Sequence, residues 1–281
     1  MTAVTRHRVS PGSRRAFVAR APTAAMSSID EKRVYGDHTG TTTLLVASGA
    51  GLARVDCSGD LVGEFGLLTR EPARDVATTG DRVALAGEHV RLDDGDGFVD
   101  TGFGTADAVG FHDGDLLAAG EGRLARYDGS RWTTVGELDD VRAVDGELVA
   151  AASGVHRVGD GLVPAGLEDV FDVSTAGAPL AATGAGLFAL GNGWMERMEG
   201  PVHAVASDGD RAHAAGDRLY ARGPDGWSAV ELPVEGRVAA VAHGERTYAV
   251  TADGVVLVEG AEGWRSRSLG LPEVRAVAVP G

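Results

Sequence analysis

Three arginines and a histidine are the residues of this chain best placed for binding chemistry. Arg74, Arg142, His203 and Arg275 each hold the second position of a four-residue element, Val-x-Ala/Asp-Val or a close variant. The element ends at Val76, Val109, Val144, Val173, Val205, Val241 and Val277, so it returns seven times, 29 to 36 residues apart. Its other second positions are Asp107, Phe171 and Ala239. If the repeats surround one axis, these side chains converge on it. A guanidinium donates two parallel hydrogen bonds, which suits a carboxylate or phosphate. The competing expectation is local neutralisation: Arg74 by Asp75, Arg142 by Asp140 and Arg275 by Glu273. Pairing with a surface carboxylate is the ordinary fate of an exposed arginine.

Other chemistry is weakly supported, and no catalytic residue is assigned. There is no Gly-x-Ser-x-Gly elbow, no phosphate-cradling glycine loop and no Ser/His/Asp constellation. Cys57 is the single cysteine and has no histidine partner signature, so it reads as a small buried residue. Asp93-Asp94-Gly95-Asp96-Gly97 lacks the ligand spacing of a calcium loop and reads as an acidic hairpin tip. His203 and His213 are expected on neighbouring strands of one unit, but two histidines without a third ligand make no metal site. No metal and no cofactor is therefore expected. Trp132, Trp194, Trp227 and Trp264 fall at one repeated position, so they belong to different units. They read as packing between units rather than as a stacking platform.

The composition narrows the class. The chain has 281 residues, 26 Lys+Arg against 41 Asp+Glu, and a formal net charge of −15. Such an acidic balance argues against nucleic-acid binding. One cysteine excludes an internal disulfide framework. No run approaches the roughly 18 apolar residues of a membrane span. Lys32 is the only lysine, Ile29 the only isoleucine, and glutamine is absent. That usage fits a GC-rich genome under acidic selection. At molar salt the Debye length is about 3 Å, so dense carboxylates repel one another far less. A halophilic host is the expectation.

Charge is unevenly spread. Residues 1–25 hold five arginines and no acid, whereas the remaining 256 residues carry a net charge of −20. Ser13-Arg14-Arg15-Ala16-Phe17-Val18 has the look of a twin-arginine motif. Arg20 and Pro22 then interrupt the apolar region an export signal needs. Residues 1–25 are expected to be a basic extension, disordered or mis-assigned, with a single domain over 26–281 in the cytoplasm.

The elements that must position the four candidate residues are short strands. After each valine element comes an apolar stretch such as Leu116–Gly120, then a segment such as Gly122–Tyr127. A Gly/Asp turn then leads to Leu61, Phe98, Trp132, Leu162, Trp194, Trp227 or Trp264. The alternation has period two, and the turns carry the residues that tolerate positive φ. Glycine fills 42 positions, too many for two helices per repeat. Four strands repeated seven times is the requirement of an all-β, seven-bladed β-propeller. The first unit has only Thr43–Ser48, Gly51–Val55 and Leu61–Leu68. Its missing innermost strand is matched by Val274–Val279, so the C-terminal strand should close the first blade.

Two resemblances follow from particular residues. Tyr127-Asp128-Gly129-Ser130-Arg131-Trp132 is similar to a degenerate Asp-box turn, which implies only a structural role between outer strands. A sialidase's arginine trio and Tyr/Glu pair have no assignable counterpart, and the Gly-His…Trp-Asp signature of WD40 repeats is missing. From Met26 onward the chain resembles an uncharacterised β-propeller family of haloarchaea. Met26–Tyr35, Gly59–Leu67 (GDLVGEFGL) and Ala73–Ala77 (ARDVA) carry that likeness. It implies fold and host environment, and no activity.

The expected function is a non-catalytic, soluble propeller scaffold for protein–protein interaction, monomeric, with a protein partner and neither nucleic acid nor membrane. The alternative is an enzyme or small-ligand binder that uses Arg74, Arg142, His203 and Arg275 as a funnel for an anion.

Overall fold

The computed structural model describes residues 40–281; the extension at 1–25 and the expected domain start at residue 26 lie outside the described residues. The described chain forms seven four-stranded antiparallel sheets and no helix. The innermost strands of blades 1 to 7 are Ala276–Ala278, Ala73–Thr79, Ala108–His112, Val141–Asp145, Val170–Ser174, Ala204–Ser207 and Val238–His243. Each contacts the next around a closed ring. All seven valine elements end on these inner strands.

Blade 1 is assembled from both ends of the described chain. Thr41–Ser48 pairs with Gly51–Ser58, which pairs with Leu61–Leu67. On its inner side Leu45, Val46 and Ala47 stand opposite Ala278, Val277 and Ala276. This closure removes the open inner edge that two free chain ends would leave. The hairpin turn between the first two strands ends at Gly51, at φ +121°. A Cβ there would fall 2.2 Å from the carbonyl oxygen of Thr69, so only glycine fits.

The core lies between blades. Along Thr41–Ser48, Leu44 and Val46 pack on Tyr248, Val250, Val256 and Val258 of blade 7. Leu45 and Ala47 face the other way, against Ala73, Val76 and Leu85 of blade 2. Successive side chains of a strand point to opposite faces. A blade covered on both faces therefore reads as a continuous apolar run, here Leu44-Leu45-Val46-Ala47. Fully burying each such leucine contributes about 1.5–3 kcal/mol.

All four tryptophans bridge blades. Trp132 Nε1–H donates to Thr101 O of blade 2 at 2.9 Å. Trp194 Nε1–H donates to Ala165 O of blade 4 at 2.8 Å. Trp227 and Trp264 pack against the clusters of the preceding blades. The strand lengths differ in detail from expectation. The closing strand is three residues, Ala276–Ala278, and the outer strand of blade 2 is only Val99–Asp100. No helix of the described residues is long and apolar enough to cross a membrane.

Candidate functional site

At one end of the ring the chain opens into a mouth of about 860 Å³. Arg74, Arg142, His203 and Arg275 all line it, together with Arg237, Asp107, Asp140 and Glu273. Local backbone irregularity helps to place two of them, Arg74 and Arg142. In blade 2 the ladder pairs Ala73 with Gly87 and Asp75 with Ala86, skipping Arg74. In blade 4 it likewise skips Arg142, in blade 5 Phe171 and in blade 7 Ala239. A bulged residue leaves the ladder and its side chain is re-aimed. Four blades thus turn the second position of the valine element out of its pairing register, and three of those residues, Arg74, Arg142 and Ala239, line the mouth.

The arginines do not choose the partners that adjacency in the chain suggests. Arg74 Nη1 pairs with Asp107 of blade 3 at 2.8 Å, not with Asp75. Arg142 Nη1 pairs with Asp169 of blade 5 at 2.8 Å, not with Asp140. Arg275 does sit beside Glu273, at 3.7 Å. The first two pairs reach from one inner strand to the residue just before the next, because neighbouring inner strands lie side by side around the ring. Arg142 is further committed: Nη1 donates to Val170 O at 3.2 Å, and its guanidinium lies 4.4 Å from the Phe171 ring centre. Exposed pairs of this kind contribute only about 0–1 kcal/mol each.

His203 lines the mouth, but one ring nitrogen is engaged. Its Nε2 lies 2.7 Å from Val238 O of blade 7, so Nε2–H is the donor. Burial lowers its pKa, and the nearby Arg237 acts in the same direction. Near neutral pH the ring is therefore a neutral bridge between blades rather than a further cation beside the arginines. Arg237 was not among the residues expected at the mouth. It immediately precedes Val238, the first residue of its element, as Asp140, Asp169 and Glu273 precede theirs. Those three acids share a left-handed backbone, φ +50°. The position before the element is the signal that would have found all four.

Beneath the mouth runs a channel of about 510 Å³. Asp75 and Asp172 hold equivalent places in its wall. Asp75 accepts the backbone N–H of Val76 at 2.8 Å and of Val109, in the next blade, at 2.9 Å. Asp172 accepts those of Val173 at 2.9 Å and Val205 at 2.8 Å. Burial pushes Asp75 up to about 6, against the pull of its two N–H bonds. Burial likewise pushes Asp172 up to about 8, with the charges of Asp75 and Asp145 adding to it. Asp75 is thus a structural staple, which explains why it does not serve Arg74.

The remaining candidates resolve as structure. His213 pairs with His243 of blade 7, Nδ1 to Nε2 at 2.9 Å, rather than with His203. No group of three or more metal-binding side chains occurs among the described residues. Asp93 Oδ1 accepts the N–H groups of Gly95 and Gly97, closing the acidic tip on itself. Asp128 Oδ1 accepts from Ser130 N–H, Ser130 Oγ–H and Arg131 N–H, holding the turn before Trp132. Cys57 is buried, and burial pushes its thiol up to about 11.

The fold is shared with distant solved structures. The WD40 β-propeller domain of Doa1 superposes with a TM-score of 0.60 at 15% identity, covering 73% of this chain and 84% of that one. The WD40 domain of Neurospora crassa Pan2 gives 0.57 at 11% identity, covering 83% and 88%. YCF48, in a structure with D1 peptide bound, gives 0.54 at 14% identity, covering 69% and 80%. At such identities the likeness is one of fold. No curated protein matches the chain in sequence. Residues 28–280 match the family described as Beta-prop_HVO_0234-like, beta propeller, and the chain belongs to that family.

Proposed function

We propose that this propeller is a non-catalytic interaction module that docks a protein partner on its arginine-bearing mouth. The observation that carries the proposal is the convergence of Arg74, Arg142, Arg237 and Arg275, from four blades, on one open face. The chain as a whole is strongly acidic, so four arginines on one face are a local concentration of positive charge, set beside the acids Asp107, Asp140 and Glu273. Charge complementarity steers encounter and sets register. Copurification from the native host in high salt, with mass spectrometry, tests it. A stoichiometric partner retained by the wild type and lost by Arg237→Glu/Arg275→Glu is the expected result. A partner retained by that variant sinks the proposal.

A second reading is favoured by the channel below the mouth, whose volume would admit a small anionic metabolite. A copurifying metabolite with no protein would reverse the order. The same proposal places the protein in the cytoplasm of a halophile. A thermal midpoint that rises steadily from 0.1 to 3 M KCl is its expected signature, and a flat response would remove it.

A further inference from the structure

The mouth is electrically divided. Going round the ring, blades 7, 1 and 2 contribute Arg237, Arg275 and Arg74, with Glu273 the one acid among them. Blades 3 and 4 contribute Asp107 and Asp140, with Arg142 the one base, itself paired with Asp169 of blade 5. Arg142 is bound by Asp169, a backbone carbonyl and the face of Phe171, so it is the least available of the four arginines. Arg237 and Asp140 form no ion pair among the described residues, and they belong to opposite arcs. The remaining pairs at the mouth are solvent-exposed and cheap to exchange.

A continuous polyanion does not complement such a surface. Its charges would meet Arg237, Arg275 and Arg74 on one side and Asp107 and Asp140 on the other. Like charges brought together across an interface are costly, and that cost is a source of specificity. The complement is a segment with acids and bases side by side. Its carboxylates would face blades 7, 1 and 2, and its ammonium or guanidinium groups blades 3 and 4.

We infer that the mouth recognises a mixed-charge polypeptide segment, oriented by the cationic arc Arg237–Arg275–Arg74 and the acidic arc Asp107–Asp140. This rests on the proposed docking role of the mouth and specifies the chemistry of the partner there. It also assigns Arg237 as the anchor of the cationic arc.

Fluorescence anisotropy with two labelled peptides on the whole chain tests it. The probes are Glu-Glu-Gly-Gly-Lys-Lys and hexaglutamate. The mixed peptide is expected to bind at least tenfold more tightly. Arg237→Glu/Arg275→Glu should lose that binding. Asp107→Lys/Asp140→Lys should also weaken the mixed peptide at least fivefold while strengthening hexaglutamate. Circular dichroism of both variants controls for folding at these exposed positions. Equal affinity for the two probes, or tighter mixed-peptide binding by Asp107→Lys/Asp140→Lys, overturns the divided mouth but leaves it an anion-docking face. Identical titrations of wild type and Arg237→Glu/Arg275→Glu overturn both the inference and the docking role.

Discussion

The carboxylate of Asp172 joins blade 5 to blade 6 by accepting the backbone N–H of Val205 at 2.8 Å. Asp75 makes the equivalent bond to Val109, from blade 2 to blade 3. A buried acid that staples backbone groups is stabilising through its hydrogen bonds and costly through its charge. That balance makes stability depend on pH.

Asp172 is raised to about 8 in the folded chain, from 3.8 when solvated. The folded state therefore holds a proton that the unfolded state releases, and the contribution of Asp172 to stability falls as pH rises from about 4 to 8. Burial lowers His156, His203, His213 and His243, whose opposing effect fades only about one pH unit above 6.5, so the window from about 7.5 to 8.5 is the one that isolates Asp172. Urea unfolding of the wild type should give a midpoint that declines across that window. Asp172→Ala should flatten the decline and lower stability at pH 6.5 by about 1–3 kcal/mol, because two N–H groups lose their acceptor. A wild-type midpoint that rises from about 7.5 to 8.5 contradicts the assignment.

The histidine pair has the opposite sign. Burial, with the second ring beside it, lowers His243 to about 4. At this ring the folded state binds fewer protons than the unfolded state between pH 4 and 6.5, so its contribution to stability rises with pH there. Replacing His243 by Phe should reduce that slope, by an amount worth on the order of 2 kcal/mol across the interval. Thermal melts at pH 4.5, 5.5 and 6.5 measure it. Unchanged slopes would show that the pair is not the responsible group.

Closure of blade 1 predicts a strong effect of truncation. Removing residues 276–281 deletes the strand opposite Leu45–Ala47 and the Val279 carbonyl that accepts Thr78 Oγ1–H at 3.0 Å. It also opens the ring between blades 7 and 2. Loss of a cooperative calorimetric transition is expected. A truncated chain melting within a few degrees of the full one would show that the ring does not depend on this strand.

Cys57 should be chemically silent. It is 1% exposed, and burial raises its thiol to about 11, so almost no thiolate forms at pH 8. A thiol reagent such as Ellman's should titrate it only after denaturation. Fast labelling of the native protein would mean that blade 1 opens locally.

Much of the architecture was legible because propeller blades repeat a local pattern. Seven valine elements, period-two alternation and Gly/Asp turns carry strand identity in neighbouring residues. The unpaired first unit and the spare element at Val274–Val277 were enough to indicate closure. The convergence of Arg74, Arg142, His203 and Arg275 on one mouth also followed from shared repeat position. Partner choice was not legible. Asp75 is adjacent to Arg74 in the chain, yet successive strand residues point apart, and Asp107 of the next blade lies nearer. The state of His203 was not legible either, because it is burial between blades that lowers its pKa.

The amino-acid sequence by itself determined the fold, the number of blades and the positions facing the axis, because those depend on periodicity and turn chemistry. Only the tertiary structure decided which charges meet, where bulges re-aim Arg74 and Arg142, and that the mouth has a cationic and an acidic arc. Those outcomes depend on the packing of one blade against the next, a relation between residues about 30 positions apart that no local pattern records.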